Sequence, residues 1–544
     1  MSSEPKTVAE LIERRAREHP DKPFLLFGSE RVTYGEYFER CARAAGMMRA
    51  RLPEGAPPHV GVLMGNSPEF LYLIGGAALA GAVIVGINAT RRGSEVERDI
   101  RHTDCACVIV DDAHRSILAG LDTPEIFSSH ETGAGFDPDY EPRSNSEDLF
   151  LLIFTSGTSG APKAVRCSHT RMLGTGTMIA ETVGLRDDDV AYVSLPLFHS
   201  NPLMCGYIPT LIRGSTMALA SKFSVRKFLP DVRMYGATYF PYSGKPLSHL
   251  LTAPKKPNDA DNPLRVAYGN EGSWRTIERF ERRFGCRVID GFGPSEGAMG
   301  FPRAPTDPPG SVGRPPPNIK VLDEEGKECP VAMFDSDGGL LNAPECVGEI
   351  VNVEGVGRFE GYYNNPEAEA RRVRDGMYWS GDLGYMDERG FLYFAGRTED
   401  WIRVDGENFP PHPIEDLVER HPAVFACAAY AVPDDAASDR VMIAVQPVPG
   451  KALDPGELFD FLTSQPDLSP KWLPTYVVIA SELPRGVTGK VLVRELRREK
   501  FLSARGGVYW RERGDSGFKP FTPGDERRLR AAFEASGRAH LLDL

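Results

Sequence analysis

The chain has 544 residues, room for three or four folding units at about 150 residues each, or for fewer and larger ones. A composition of 41% hydrophobic, 26% charged and 9% aromatic residues excludes a wholly disordered chain, and 55 glycines and 45 prolines without a period exclude collagen and repeat arrays. With 63 basic against 76 acidic residues the net charge is −13, a poor surface for nucleic acid, so any phosphate-binding charge has to be local.

The pattern predicts an amphipathic helix over Val8–His19 and another over Gly35–Leu52, then an apolar strand over His59–Met64. Phe70–Ile87 is an uncharged run of 18 residues, at the lower limit for a membrane span. Its four glycines and β-rich end read instead as a buried helix, Pro68–Leu79, followed by a buried strand, Ala82–Ile87. A strand at Cys107–Val110 follows, and this alternation implies βαβ units and a largely parallel sheet. Residues 126–146 turn polar and read as a linker.

Strands are expected at Leu149–Phe154, Val190–Leu195, Thr238–Pro241 and Val288–Gly291, then a proline- and glycine-rich β-subdomain over residues 304–349. After Gly396 the texture becomes that of a compact α+β unit: helix Asp416–Arg420, strands Ala426–Val432 and Arg440–Val448, helix Glu457–Leu462, strand Tyr476–Ile479 and helix Val491–Lys500. A basic, polar tail over 504–544 carries a helix at Pro523–Ala535. The N-terminus lacks a basic leader followed by an apolar core. The nine cysteines include one close pair, Cys105 and Cys107, and no second pair at metal spacing. Reduced, mostly buried thiols in a cytoplasmic protein are the expectation.

The most informative string is Leu151-Leu-Ile-Phe-Thr-Ser-Gly-Thr-Ser-Gly-Ala-Pro-Lys163, a buried strand running into a loop of hydroxyls and glycines closed by a lysine. Glycines let backbone N–H groups converge on an anion, hydroxyls add donors, and the lysine adds charge. This is a phosphate cradle, and it is not the Walker form, because proline precedes the lysine and alanine follows it.

Here the sequence resembles the adenylate-forming superfamily of acyl-CoA synthetases, peptide-synthetase adenylation domains and luciferase. Thr155-Ser156-Gly157-Thr158-Ser159-Gly160-Ala-Pro-Lys163 resembles its signature, with Ser159 and Ala164 as mild departures. The other motifs follow in the family's order: Leu195-Pro-Leu-Phe-His199, Asp290-Gly291-Phe292-Gly293-Pro-Ser295-Glu296, Tyr378-Trp-Ser-Gly-Asp382, Gly396-Arg397-Thr398-Glu399-Asp400 and Leu483-Pro-Arg-Gly-Val-Thr-Gly-Lys490. A finer likeness, carried by Tyr268-Gly269-Asn270-Glu271-Gly272, Val404-Asp-Gly406-Glu-Asn408 and the tail strings Tyr509-Trp and Phe518-Lys-Pro-Phe-Thr-Pro523, is to the fatty-acid-transport and very-long-chain group. Within that group it is to actinobacterial enzymes that activate fatty or steroid side-chain acids.

The resemblance implies an α/β fold with a large N-terminal adenylate-forming domain, 1–396, built of α/β sheets and a β-subdomain. A small mobile C-terminal α+β domain, 397–544, pivots at Glu399. It implies Mg²⁺ at Thr155 and Glu296, and nucleotide binding by the 155–163 loop, Gly269–Glu271, Asp290–Gly293, Ser295, Asp382, Arg397 and Gly406. Phe292 takes the adenine-stacking position, and Asp290 either accepts from the adenine amino group or caps the turn. Lys490 bridges the substrate carboxylate and α-phosphate, and Lys490, Glu296 and Arg397 form the catalytic set. The acyl pocket falls to His199, Tyr239, Tyr242, Gly297 and Met299, whose segments carry no arginine to read a second carboxylate. The expected reaction is ATP-dependent ligation of a hydrophobic acid to coenzyme A. The acid is a medium-to-long fatty acid or a steroid side-chain carboxylate.

Three alternatives stay open: a carrier-protein acceptor, a non-catalytic lipid-binding homologue, and a serine hydrolase through Gly293-Pro-Ser295-Glu-Gly297, which fits the nucleophile-elbow pattern. The proline, and the lack of a helix start after it, argue against the last. No nucleic-acid partner and no transmembrane span are expected, while peripheral membrane contact and a homodimer are left open.

Overall fold

The computed structural model describes residues 4–542 apart from 130–143, 156–162, 245, 271, 273, 335–339, 398–401, 405–406, 410, 435–438, 466–467, 469–470, 487–488, 503–505, 513 and 537. The chain divides into two compact units, Met1–Pro305 with Val356–Val373, and Thr306–Gly355 with Arg374–Leu544.

The first unit is built on two sheets. One orders its strands as Phe301–Pro302, Arg287–Phe292, Val266–Asn270, Tyr239–Ser243, Val190–Val193, Thr216–Leu219, Pro23–Phe27 and Glu30–Thr33. The other orders Tyr362–Tyr363, Lys163–Ser168, Leu149–Thr155, Val83–Gly86, His59–Leu63, Cys107–Val110 and Glu125–Ser128. The inner pairs are parallel and the antiparallel ones lie at the ends, as a βαβ-built sheet with hairpin edges requires. Glu125–Ser128 corrects the sequence reading: the stretch taken as linker begins with an edge strand, paired in parallel with Cys107–Val110. Its short, half-polar pattern hides it from a periodicity search.

The uncharged run folds as a buried helix, Pro68–Ala80, and a buried strand, Val83–Gly86. Its glycines have a packing reason. A Cβ on Gly75 would stand 2.3 Å from Cys41 Sγ and one on Gly76 2.6 Å from Ala44 Cβ, so they let the helix touch Tyr34–Arg51 backbone to backbone. Among the described residues no helix is long and apolar enough to cross a membrane. The helix Tyr34–Arg51 starts on a capping box between Thr33 and Glu36.

The first helix, Val8–Glu18, buries Val8, Ala9, Leu11 and Ile12 and is capped by Thr7. Its first N–H, at Val8, donates to His169 Nδ1 at 3.2 Å, and His169 stacks on Phe150 with ring centroids 4.6 Å apart.

The second unit holds an antiparallel sheet of Ser311–Gly313, Leu392–Arg397, Met377–Met386, Gly348–Asn352 and Ile319–Leu322, flanked by Val373–Arg374. This is the β-subdomain texture that the sequence shows from residue 304 onward. A hairpin of Ile402–Val404 and Glu407–Phe409 follows, then a sheet of Val424–Pro433, Asp439–Pro447, Tyr476–Ile479, Gly507–Trp510 and Lys519–Pro520. The tail is therefore more than a helix: it adds two strands, and Trp510, Phe521, Leu529 and Phe533 join the core around Tyr476 and Phe501. The helix expected at Asp416–Arg420 starts earlier, at His412, because Pro413 occupies the first turn, where its missing N–H is harmless.

His169 yields a pH prediction. Burial holds its pKa down to about 4, whereas an unfolded histidine titrates near 6.5. Between those values the unfolded chain takes up a proton that the folded one refuses, so stability falls on acidification from about pH 6.5 to 4, by roughly 3 kcal/mol in all. Thermal unfolding of the wild type and of His169→Gln across that range should show a shallower pH dependence in the variant.

Candidate functional site

The phosphate-cradle loop closes a hairpin. Leu149–Thr155 pairs antiparallel with Lys163–Ser168, and the register sets Thr155 directly opposite Lys163. Lys163 is buried. Ser156, Gly157, Thr158, Ser159 and Gly160 lie outside the described residues.

Three adjacent parallel strands carry the residues assigned to adenine from sequence, with Tyr242, Gly269 and Asp290 in register across them. Gly269, between the two larger residues, leaves no room for a Cβ, which would fall 2.2 Å from the Tyr242 carbonyl oxygen. Asp290 Oδ2 accepts from the Tyr242 hydroxyl at 2.5 Å and from Gly272 N–H at 2.9 Å. The Tyr242 hydroxyl, assigned to the acyl pocket from sequence, is thus committed to the carboxylate beside the adenine position. Two buried amide oxygens near these strands, Asn270 Oδ1 and Asn201 Oδ1, have no hydrogen-bond partner, while Asn201 Nδ2 donates to the Tyr242 carbonyl at 2.8 Å. A buried acceptor left unmade is costly, and an N–H or O–H of a bound nucleotide would satisfy it. Glu271 lies outside the described residues.

The strand Arg287–Phe292 leads into the turn that carries Ser295 and Glu296 and returns as Phe301–Pro302, with Phe292 opposite Phe301. The two rings lie 5.7 Å apart. Gly291 sits where a Cβ would be 2.6 Å from the Phe301 carbonyl oxygen. The turn is held from four directions. Arg171 Nη2 donates to the Ser295 carbonyl at 2.5 Å, Ser295 Oγ lies 3.0 Å from Ser200 Oγ, Arg358 N–H donates to the Gly297 carbonyl at 3.1 Å, and the Tyr362 hydroxyl donates to Glu296 Oε1 at 2.8 Å. Burial, with Glu296 beside it, pushes the Tyr362 hydroxyl well above its ordinary range, so it remains a donor. No helix follows Ser295, so a hydrolase nucleophile elbow, which runs strand–turn–helix, does not form.

Arg171, Tyr362, Ser200 and Arg358 carry no motif signal and were missed from sequence. Arg171 is the most consequential: it is 2% exposed, its Nη1 also bonds the Arg166 carbonyl, and its Nη2 would stand 3.1 Å from a Cβ on Gly297. The lining segments named from sequence contain no arginine, yet the fold delivers this one from another segment, with both of its end nitrogens taken up by backbone carbonyls.

The acyl-side residues cluster on the first unit as well. Pro202–Tyr207 winds as a π-helix, a form common at functional positions. Tyr239 is fully buried, with its hydroxyl donating to the Cys205 carbonyl at 2.8 Å. Met299, Phe198 and Met204 are buried, and His199 packs its ring 4.5 Å from that of Phe198. Asn66 organises the 195–199 loop. Its Nδ2 donates to the carbonyls of Leu195 (2.9 Å) and Ala220 (3.0 Å), and its Oδ1 accepts from Leu197 N–H at 2.9 Å. Capture of these groups by Asn66 takes the chain out of the ladder, which ends the strand at Val193 rather than at Leu195.

In the second unit Asp382 lies opposite Arg397 on antiparallel strands. Gly381 N–H donates to Glu349 Oε1 at 2.6 Å and Ser380 Oγ to the Ile350 carbonyl at 2.7 Å, fixing the strand positions just before Asp382. The Arg397 side chain, Glu399 and Gly406 lie outside the described residues. Lys490 ends a turn in which Gly489 has φ +80°.

Mg²⁺ takes oxygen ligands and usually keeps several on phosphate and water. A carboxylate at Glu296 and a hydroxyl at Thr155 suit that chemistry. Among the described residues no group of three or more His, Cys, Asp or Glu could hold a metal.

A family model described as AMP-binding enzyme matches residues 12–363, and one described as AMP-binding enzyme C-terminal domain matches residues 413–490. A medium/long-chain-fatty-acid–CoA ligase of Mycobacterium marinum is 45% identical over 506 residues, covering 91% of this chain and 96% of that protein. A steroid-22-oyl-CoA synthetase of Rhodococcus jostii is 42% identical over 520 residues, covering 92% and 93%. In fold, the chain is similar to a benzoate CoA ligase from Burkholderia xenovorans (TM-score 0.79, 22% identity, 90% of this chain and 99% of that one). It is also similar to o-succinylbenzoate coenzyme A synthetase from Bacillus subtilis in complex with ATP and magnesium ion (TM-score 0.74, 23% identity, 89% and 98%).

The Asn66 clamp generates a prediction. Asn66→Leu leaves the Leu195 and Ala220 carbonyls and the Leu197 N–H without their partner, a loss of about 1–3 kcal/mol per buried group. The loop beside His199 should loosen. KM for the acid should rise about tenfold or more while KM for ATP stays within about twofold, as measured by pyrophosphate release at varied acid and ATP.

Proposed function

Since the chain belongs to the AMP-binding enzyme family, we propose that it activates a hydrophobic carboxylic acid and delivers it to coenzyme A. It is an AMP-forming acid–thiol ligase. In the first step a carboxylate oxygen attacks the α-phosphorus of ATP, the bond to the β-phosphate bridge breaks, and pyrophosphate leaves with the acyl-adenylate formed. In the second the thiolate of coenzyme A attacks the acyl carbonyl, the bond to AMP breaks, and AMP leaves in place of hydroxide, a far poorer leaving group.

The single observation that supports this most is the Glu296 turn, held by Tyr362 and Arg171 in a unit whose cradle hairpin sets Thr155 opposite Lys163. The 155–163 loop surrounds the phosphates, and Mg²⁺, held by Glu296 and Thr155, offsets their charge when bound. Adenine lies between Gly269–Glu271 and Asp290–Gly293, with Phe292 offering its ring face and Asn270 Oδ1 an open acceptor. Ser295 and Gly406 border the nucleotide, Asp382 accepts from the ribose hydroxyls, Arg397 reaches ribose or phosphate, and Lys490 neutralises charge as pyrophosphate departs. The small C-terminal domain begins at Arg397 and pivots at Glu399. ATP and coenzyme A as co-substrates place the reaction in the cytoplasm.

The acid is a medium-to-long fatty acid or a steroid side-chain carboxylate. Both relatives named above act on such acids by name, and of the residues assigned to the pocket Tyr239 and Met299 are buried, as are Phe198, Met204 and Phe301 near them in the chain. His199, Tyr242 and Gly297 border the pocket as well. Burial at roughly 0.8 kcal/mol per methylene raises affinity about fourfold for each methylene that fits.

The test is kcat/KM for acetate, octanoate, palmitate and a C24 steroid acid, followed by AMP and pyrophosphate release. Octanoate or a larger acid should exceed acetate by several orders of magnitude, and acetate as the best substrate would overturn the assignment. Lys490→Ala supplies a second test. Acyl-adenylate formation should fall roughly 10²-fold or more, while thioester formation from supplied acyl-adenylate is largely spared; equal loss in both steps would refute the role given to Lys490.

A further inference from the structure

A lysine on a turn is only as well placed as the backbone beneath it. Residues 484–486 and 489–492 of the second unit fold against each other. Gly486 N–H donates to the Lys490 carbonyl at 2.8 Å, Gly489 N–H to the Gly486 carbonyl at 2.9 Å, and Leu492 N–H to the Pro484 carbonyl at 2.8 Å. Arg485 and Val491 form an antiparallel bridge at the base. These bonds use the first residues of the helix expected from Val491, which therefore starts at Val493.

The Gly489 carbonyl, one residue before Lys490, receives its hydrogen bond from a side chain. Arg485 Nη1 donates to it at 2.8 Å, and the other arm of the same guanidinium, Nη2, donates to Gln446 Oε1 at 3.0 Å. That amide oxygen also accepts from Leu483 N–H at 3.4 Å. Gln446 stands on the strand Asp439–Pro447, opposite Ala426, and the Arg485 guanidinium carbon lies 5.7 Å from the centre of the Phe425 ring. One planar group thus spans from the sheet to the residue that precedes Lys490. A guanidinium does this because its donors form a rigid fork; an ammonium carries its charge on one nitrogen and cannot bridge the same two acceptors.

We propose that Arg485, seated by Gln446, is a positioning residue that fixes the Gly489–Lys490 backbone so that the lysine ammonium is presented for adenylation. The proposal rests on the reading of Lys490 as the cation of the first half-reaction. The two hydrogen bonds of Arg485 go to Gly489 and Gln446, so the contribution proposed for it is transmitted through Lys490.

The test separates the half-reactions in the full-length enzyme: pyrophosphate exchange for adenylation, and thioester formation from supplied dodecanoyl-adenylate and coenzyme A for the second step. Arg485→Met and Gln446→Met should each slow adenylation about tenfold or more, the loss expected for a hydrogen bond to a charged group, and leave the second step within about twofold. Arg485→Lys should not restore the rate. In a Lys490→Ala background, Arg485→Met should slow adenylation no further, because the residue being positioned is gone. Equal slowing of both half-reactions, or the same added loss in the Lys490→Ala background, would make Arg485 a general stabiliser and overturn the proposal. Gln446→Met, outside the turn, gives the same readout should Arg485→Met fail to fold. Wild-type adenylation in Lys490→Ala would instead remove the reading of Lys490 itself, and it is seen without any Arg485 variant.

Discussion

Much of the first unit's site depends on one buried cation. The Arg171 guanidinium is almost wholly removed from water, and a charge so placed is tolerated only where fixed dipoles replace its hydration. The carbonyls of Arg166 and Ser295 do this. Because one belongs to the strand following the cradle loop and the other to the turn before Glu296, satisfying the arginine also ties those two segments together. Helix His169–Thr182, which carries Arg171, begins on a Ser168 cap, and the Ser168 hydroxyl in turn donates to Glu360 at 2.5 Å. Phosphate loop, metal-side turn and the 356–363 segment therefore share one network of charge and hydrogen bonds.

The turn needs that network because it has little secondary structure of its own. Between Phe292 and Phe301 the chain leaves a sheet and returns to it, and its carbonyls find partners on residues far away in sequence. Tyr362 keeps its proton under burial and so orients one oxygen of the Glu296 carboxylate. That carboxylate is held in one orientation by the fold itself, and preorganised charge is what electrostatic catalysis requires. The same economy recurs at Asp290, which Tyr242 and Gly272 hold in place, and at the 195–199 loop, where one asparagine satisfies three backbone groups.

The second unit solves a related problem with different means. Its motif residues are anchored from neighbouring strands: Glu349 and Ile350 hold the strand positions before Asp382, and Gln446 through Arg485 holds the turn before Lys490. The tail beyond the matched C-terminal domain extends that unit's sheet and covers an aromatic cluster around Tyr476, with rings at 4.4 Å from Phe501 and 6.1 Å from Phe521.

The sequence by itself determined what can be read locally. Strands such as Cys107–Val110 and Tyr476–Ile479, and the helix Pro523–Ala535, fall where apolar periodicity and turn residues put them, because each is selected by neighbours within a few positions. The chemistry-bearing motifs were legible for the same reason: a cradle needs glycines, hydroxyls and a lysine within one short loop. Tertiary structure decided everything that joins distant segments. The edge strand Glu125–Ser128 exists because Cys107–Val110 offers it a partner, and the strand from Val190 stops at Val193 because Asn66 takes the Leu195 carbonyl beyond it. Arg171, Tyr362 and Asn66 carried no signal, since a buried arginine or a bonded tyrosine is spelled like a solvated one, and Arg485, though inside a motif, carried none for the residue it bonds. Their roles depend on which carbonyl or carboxylate comes within hydrogen-bond reach after folding, and that distance is set by the packing of segments as much as 262 residues apart, as for Asn364 and His102.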